Sequence, residues 1–339
     1  MKTTDFARYL TDYLSVYLPG QRNLSPHTIA SYRDTFKLLL IFCEHEKGIS
    51  PESLTIAYID DDLIRAFMTW IETTRKCGIT TRNQRLAAVH AFFRYLQVEM
   101  PERLMTHQRI LAIPLKKTGR PVVSYLPTEA LEAILKQPDR NSAAGRRDLV
   151  LLTVLYDSGA RVGELTNLLV RDVRLTQPAT ITLKGKGRKV RHVPLMSKTA
   201  SLLGDYLEER RLMAAHNFDH PLFFNSRHQK LTRAGVSYVI NKYVKAARRE
   251  NFIIVPDKVS PHVFRHTKAM HLLQANVNLV YIRDFLGHAS VTTSEIYARA
   301  DTRMKREALE QAYSFPVTVD LPAWQDDKGL LIWLQRLCR

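Results

Sequence analysis

Apolar positions recur at helical spacing through the first hundred residues. Tyr32, Phe36, Leu39, Leu40 and Cys43 keep one apolar face, and Ser25-Pro26 ahead of them supplies an N-cap and a first-turn proline. Leu86, Val89, Phe93 and Leu96 repeat the spacing in a second long segment. The pattern predicts about four helices before Pro101. It then weakens. From Pro101 to Pro127 the periodicity is poor, with Pro114, Pro121 and the basic run Lys116-Lys117-Thr118-Gly119-Arg120, and this stretch reads as an interdomain connection. The boundaries that follow are a helical domain over 1–113, a linker over 114–126, a second domain over 127–312 and a C-terminal tail over 313–339.

The second domain mixes two periods. Helical patterns cover roughly 127–137 and 144–169, and β-prone runs from Ala179 to Leu183 and from Lys189 to Val193 flank Gly185-Lys186-Gly187 as a hairpin. Further helices are predicted at about 197–215, 232–249, 262–275, 279–286 and 292–298. In the tail, Leu330, Trp333, Leu334 and Leu337 make the apolar face of a short helix. The fold class is a mainly α N-terminal domain plus a mixed α/β domain, α-rich with a small antiparallel sheet.

Composition sharpens the picture. The 339 residues are enough for two separately cored domains. Lys and Arg number 50 against 33 Asp and Glu, a net charge of +17, which favours a polyanionic partner. The excess is uneven: residues 1–115 hold 14 basic against 12 acidic groups (+2), leaving 36 against 21 (+15) for the rest. Cys43, Cys77 and Cys338 form neither a metal-ligand spacing nor a disulfide framework. The start, MKTTDFARYL, lacks an apolar signal core and no segment reaches membrane-spanning length, so a reducing cytoplasm, with nucleoid association, is the expected setting.

The candidate chemistry lies in Arg161, Lys186, His262, Arg265, His288 and Tyr297. Two guanidinium groups can clamp the non-bridging oxygens of a phosphodiester, where charge builds in the transition state. A tyrosine can attack and hold a covalent intermediate, and lysine and histidine can move the protons. Glu164 is the expected orienting partner of Arg161. His262 and Arg265, three apart on one helix, are expected to share a face. His266 and His271 read as packed or capping residues. Lys184 and Lys189 rival Lys186, and Tyr281 and Tyr313 rival Tyr297. For DNA contact, Arg188, Lys189 and Arg191 on the hairpin suit the phosphate backbone. Arg82, Asn83 and Arg85, at a helix start, suit phosphate or base contacts.

These residues stand in a recognisable order. His262-Val263-Phe264-Arg265 forms an H-x-x-R box, Leu286-Gly287-His288 an L-G-H box, and Tyr297 follows nine residues later. Ser158 to Leu165 carries the first arginine and Lys184 to Lys189 a lysine hairpin. From about Tyr125 to Tyr297 the chain resembles the tyrosine recombinases of the phage-integrase family, more loosely so in its first hundred residues. The resemblance implies a helical core-binding domain and a catalytic domain clamped around duplex DNA. It implies cleavage through a 3′-phosphotyrosyl link without metal or other cofactor, with Lys186 as general acid and His288 on the scissile phosphate.

The same resemblance implies double-stranded DNA with inverted-repeat half-sites as partner. The assembly would be a tetramer on two duplexes, or a mixed assembly with a related recombinase, with the tail packed head-to-tail into a neighbouring protomer. No membrane partner is expected. Two other readings stay open on sequence alone: a type IB topoisomerase-like nicking-closing enzyme, and a sequence-specific DNA-binding protein that does not cut.

Overall fold

The computed structural model describes residues 4–119, 123–185, 189–250, 252–288, 290, 294–297 and 329. Lys186, Arg188, Tyr313, Cys338 and the apolar tail helix lie outside the described residues. The chain divides into two compact units, Met1–Pro121 and Val122–Arg339.

The first unit is helical: α1 (Asp5–Asp12) running into a π-helical segment Tyr13–Gln21, then α2 (Pro26–Lys47), α3 (Asp61–Thr73), α4 (Ile79–Glu99) and α5 (Leu104–Leu111). Ser25 caps α2 by accepting from the Thr28 amide at 3.3 Å, Pro26 takes the first turn, and Gly48 closes it at φ 66°. Phe36, Leu39 and Cys43 of α2 and Leu86, Val89, Phe93 and Leu96 of α4 are buried in one core. Phe92 is its hub, with ring centroids 5.0 Å from Phe36, 5.1 Å from Tyr13 and 6.1 Å from Phe6.

One expectation is corrected here. The stretch after Pro101 does not run straight into a linker, because α5 buries His107 and Ile110 against this core while a ring nitrogen of His90 meets the Ile110 carbonyl at 3.1 Å. Two buried positions are too few to show as a period. Arg82, Asn83 and Arg85, expected at a DNA contact, are each bonded within this unit. Arg82 is buried and donates to the Pro114 carbonyl at 3.1 Å, and Asn83 exchanges hydrogen bonds with Lys116 at 2.7 and 3.1 Å. Arg85 donates to the Ser31 carbonyl and the Thr35 hydroxyl, both at 3.0 Å. The polar start of α4 fastens this unit to itself.

The second unit holds α6 (Thr128–Leu135), α7 (Ala143–Ser158), α8 (Val162–Thr166), β1 (Val173–Arg174), β2 (Thr180–Lys184), β3 (Val190–Pro194), α9 (Ser197–Glu209), α10 (Arg233–Glu250), α11 (Pro261–Gln274) and α12 (Leu279–Leu286). The strands form one antiparallel sheet in the order β1-β2-β3, with Thr182 opposite His192 and Lys184 opposite Val190. Alternate residues Ile181, Leu183 and Val193 face the core, where Leu151, Leu152 and Leu155 of α7 and Phe264 of α11 meet them. Among the described residues no helix is long and apolar enough to cross a membrane.

The helical pattern over 144–169 resolves into two helices. Gly159, at φ 56°, ends α7, and Arg161 becomes the N-cap of α8. A side chain at Gly159 would bring its Cβ to 2.9 Å from Leu286, so this turn and the end of α12 fit only with glycine there. Of the predicted last helix, 294–297 is described and is helical.

Candidate active site

Three helix ends meet beside the sheet. α7 ends at Gly159, α8 begins after Arg161, and α12 ends at Gly287, whose φ of 64° turns the chain toward His288. The last carbonyls of a helix lack intrahelical partners and carry partial negative charge. Arg265 of α11 reaches both C-termini. It donates to the Gly159 carbonyl at 2.7 Å and to the Leu286 carbonyl at 2.6 Å. Arg161 donates to the Gly287 carbonyl at 3.4 Å. Two arginines more than a hundred residues apart in sequence are thereby set around the same few backbone atoms.

Glu164 fixes the rest of the cluster. It accepts from the Arg161 amide at 2.9 Å and from the Arg161 guanidinium at 2.8 Å. Arg191 of β3 pairs with the same carboxylate through both Nη atoms, at 3.0 and 2.7 Å, and its Nε donates to the Phe285 carbonyl at 3.0 Å. Arg191, expected on the DNA backbone, is here engaged within the protein. Its side chain is only 12 % exposed, and all three of its nitrogens are bonded inward. Burial raises the Glu164 pKa, but the hydrogen bonds from Arg191 and the Arg161 amide outweigh it and leave the carboxyl below its ordinary value.

One carboxylate faces three guanidinium groups, so the cluster carries an uncompensated positive charge. Burial foremost, then repulsion from Arg161 and Arg191, pushes Arg265 down to about 9, which leaves it cationic at neutral pH. The same burial, followed by the charges of Arg265 and Arg161, pushes His288 down to about 4, so its ring is neutral there. An anion seated against this cluster would relieve both. A phosphodiester has the charge and the planar-fork-matching oxygens for it.

Tyr297 closes the site. It is buried, 1 % exposed, with its ring stacked on His288 at 6.2 Å and 16° between planes. His288 Nδ1 lies 2.8 Å from the Ser294 hydroxyl on the same turn as the tyrosine. Burial raises the Tyr297 pKa, and Arg265 and Arg161 lower it by less. His266, expected only to pack or cap, has its Nδ1 3.0 Å from the Tyr297 hydroxyl. Sequence reasoning missed this contact. The one available signal was that His266 follows Arg265 directly on a helix whose other face is buried. His271 does pack, its ring nitrogens 2.9 Å from the Tyr156 hydroxyl and 3.0 Å from the Leu126 carbonyl.

The remaining candidates are dispersed. His262 is exposed on α11, its ring 6.5 Å from that of His266, while Arg265 turns inward, so the two do not present one common face. Lys184 pairs with Asp172 at 3.1 Å, and Lys189 is exposed beside the undescribed hairpin tip. Tyr281 is 71 % exposed on α12.

Comparison with known proteins matches residues 124–304 to the phage integrase family and residues 10–99 to the phage integrase N-terminal SAM-like domain. A putative integrase/recombinase, y4rC, of Sinorhizobium fredii is 37 % identical over 336 residues, covering 99 % of both chains. The tyrosine recombinase XerC of Pelobacter propionicus is 31 % identical over 299 residues, covering 88 % of this chain and 93 % of that protein. Among solved structures, XerH site-specific recombinase bound to difH substrate in a pre-cleavage complex aligns with TM-score 0.66 at 25 % identity, over 88 % of this chain and 84 % of that one. The Tn1549 transposon integrase in complex with transposon right end DNA shares the fold, with TM-score 0.67 at 15 % identity, over 89 % of this chain and 98 % of that one.

Proposed function

The chain belongs to the phage integrase family and is a tyrosine site-specific recombinase; we propose that Tyr297 is its nucleophile and Arg161 and Arg265 its phosphate clamp. The observation that carries this reading is that Arg161 and Arg265 bond the carbonyls of Gly159, Leu286 and Gly287, with His288 next in the chain after Gly287 and Tyr297 stacked on the His288 ring. In it the Tyr297 oxygen attacks the scissile phosphorus, the P–O5′ bond breaks, and a 3′-phosphotyrosyl link and a 5′ hydroxyl result. Lys186, which lies between β2 and β3 in sequence, protonates the leaving oxygen, and His288 donates a hydrogen bond to the phosphate. His262, exposed in the first turn of α11, completes the proposed catalytic set. The 5′ hydroxyl of a partner strand then reverses the step. Bond energy stays in the phosphotyrosine, so the cycle balances without a nucleotide.

The partner in this reading is duplex DNA carrying inverted-repeat half-sites. Four protomers, or two pairs with a related recombinase, act on two duplexes in the cytoplasm at the nucleoid, moving or resolving a mobile element. The surplus of +15 beyond residue 115 supplies the non-specific part of the affinity.

The test is a nicked suicide substrate, from which the leaving strand diffuses away. Wild-type protein is expected to form a covalent adduct and, given a partner duplex, a joined hybrid product. Tyr297→Phe should bind the site within a few-fold of wild type and form no adduct. An adduct in that variant would refute the assignment, and nicking and closing without hybrid product would favour a topoisomerase.

A further inference from the structure

Tyr297 is held on two sides. His288 stacks on its ring, and His266 meets its hydroxyl at 3.0 Å with the rings 5.6 Å apart and tilted by 59°. The nucleophile's oxygen therefore already has an imidazole nitrogen within hydrogen-bonding reach before any substrate arrives. His288 meets the tyrosine through its ring face instead, with its Nδ1 2.8 Å from the Ser294 hydroxyl. His262 is exposed, and its ring lies 6.5 Å from that of His266.

We propose that His266 is the general base for Tyr297, accepting the phenolic proton on Nδ1 as the oxygen attacks and returning it when the strand is rejoined. The proposal rests on Tyr297 being the nucleophile. In the forward step the Tyr297 O–H bond breaks, its electron pair forms the new P–O bond, and the proton passes to Nδ1. The electron pair of the breaking P–O5′ bond leaves with the 5′ oxygen, which takes its own proton from the general acid. In the reverse step the imidazolium gives its proton back to the phenolate as the P–O bond to tyrosine breaks.

The surroundings suit this role. Burial first, then the neighbours His262 and Arg265 on the same helix, hold the His266 pKa below its ordinary value, which favours the neutral ring; in the tautomer with its proton on Nε2 the Nδ1 lone pair faces the Tyr297 hydroxyl. The other groups facing the pair are His288, neutral across the working range, and the cationic Arg265 and Arg161, which act on the tyrosine and stabilise its developing phenolate.

His266→Asn leaves an amide near the place of Nδ1, able to accept a hydrogen bond but unable to take the proton. His266→Gln is the second variant, and both are compared on the full chain by site binding and by the single-turnover rate of adduct formation. Binding should stay within about twofold. Adduct formation should fall by about 100-fold at pH 7, within the range for loss of a positioned base, and rise with pH up to 9 where the wild type is flat. Wild-type rate and profile in either folded variant would overturn the proposal.

A second measurement needs no change at His266. Histidine-directed ¹⁵N NMR of the full chain should show one neutral ring with its proton on Nε2, whose Nδ1 signal moves in Tyr297→Phe. A proton on Nδ1 of that ring would overturn the proposal even if both variants failed to fold. Tyr297→Phe run alongside separates the two failures: an adduct there removes the nucleophile assignment. No adduct there, with normal His266 variants, removes only the base.

Discussion

Arg191→Met tests whether the hairpin arginine is a buttress or a DNA contact. The substitution keeps most of the aliphatic stem and deletes the guanidinium, with its two bonds to Glu164 at 3.0 and 2.7 Å and one to Phe285 at 3.0 Å. The partners are buried, with side chains 12 % and 5 % exposed, so solvent does not compensate. Breaking a buried pair from one side costs about 3–5 kcal/mol. Glu164 keeps Arg161, which sets the loss near the lower end, about 3 kcal/mol. For a unit of this size each kcal/mol lowers Tm by roughly 2–4 °C, so the melt should fall by roughly 6–12 °C. Calorimetry on the full chain reads it. The salt dependence of DNA binding supplies the second axis. Removing a phosphate contact lowers the slope of log K against log salt by about 0.9, whereas removing a buttress leaves it unchanged. A Tm within about a degree of wild type together with a slope reduced by about 0.9 would refute the buttress.

Arg161→Lys keeps charge but loses the planar fork. Single-turnover cleavage is expected to fall at least about tenfold, or about 1.4 kcal/mol, and an unchanged rate would remove Arg161 from the clamp. Glu164 is held below its unfolded pKa, so its contribution is present above the unfolded value and lost as pH falls through the folded one. Acid unfolding of Arg191→Met should accordingly begin at higher pH than in wild type, read by circular dichroism. His288 should titrate near pH 4 by NMR, and a midpoint at or above 6.5 would show that neither its burial nor the three arginines act on it. Gly159→Ala places a side chain at φ 56° and against Leu286, and should cost about 2 kcal/mol, read as a lowered Tm.

The legible parts of this chain were those that depend on near neighbours. The faces of α2 and α4, the Ser25-Pro26 start and the β2–β3 hairpin follow from spacings of two to four residues. The ordered boxes pointed to Arg161, Arg265, His288 and Tyr297. What sequence missed depends on which way a long side chain turns once distant elements pack. Arg191 alternates to the half-buried side of β3, and only the approach of α8 and α12 makes Glu164 and Phe285 its partners. Arg82 and Arg85 look like a phosphate-binding helix start until the residues around Pro114 and Ser31 fold against them. His266 is one residue from Arg265, about 100° round the helix. Whether that direction meets core, solvent or the tyrosine depends on where the turn at 294–297 lands.

Arg265 has a consequence for anyone who wants an inactive form that still assembles. Because its guanidinium caps the C-termini of α7 and α12 together, the group proposed to meet the phosphate is also a rivet between two helices and the turn leading to His288. A knockout at this position removes rivet and clamp at once, and its loss of recombination would say little about catalysis. Tyr297→Phe keeps the ring in its stack on His288 and takes away one oxygen. For an inactive form that keeps the packing of the site, that is the cleaner lesion.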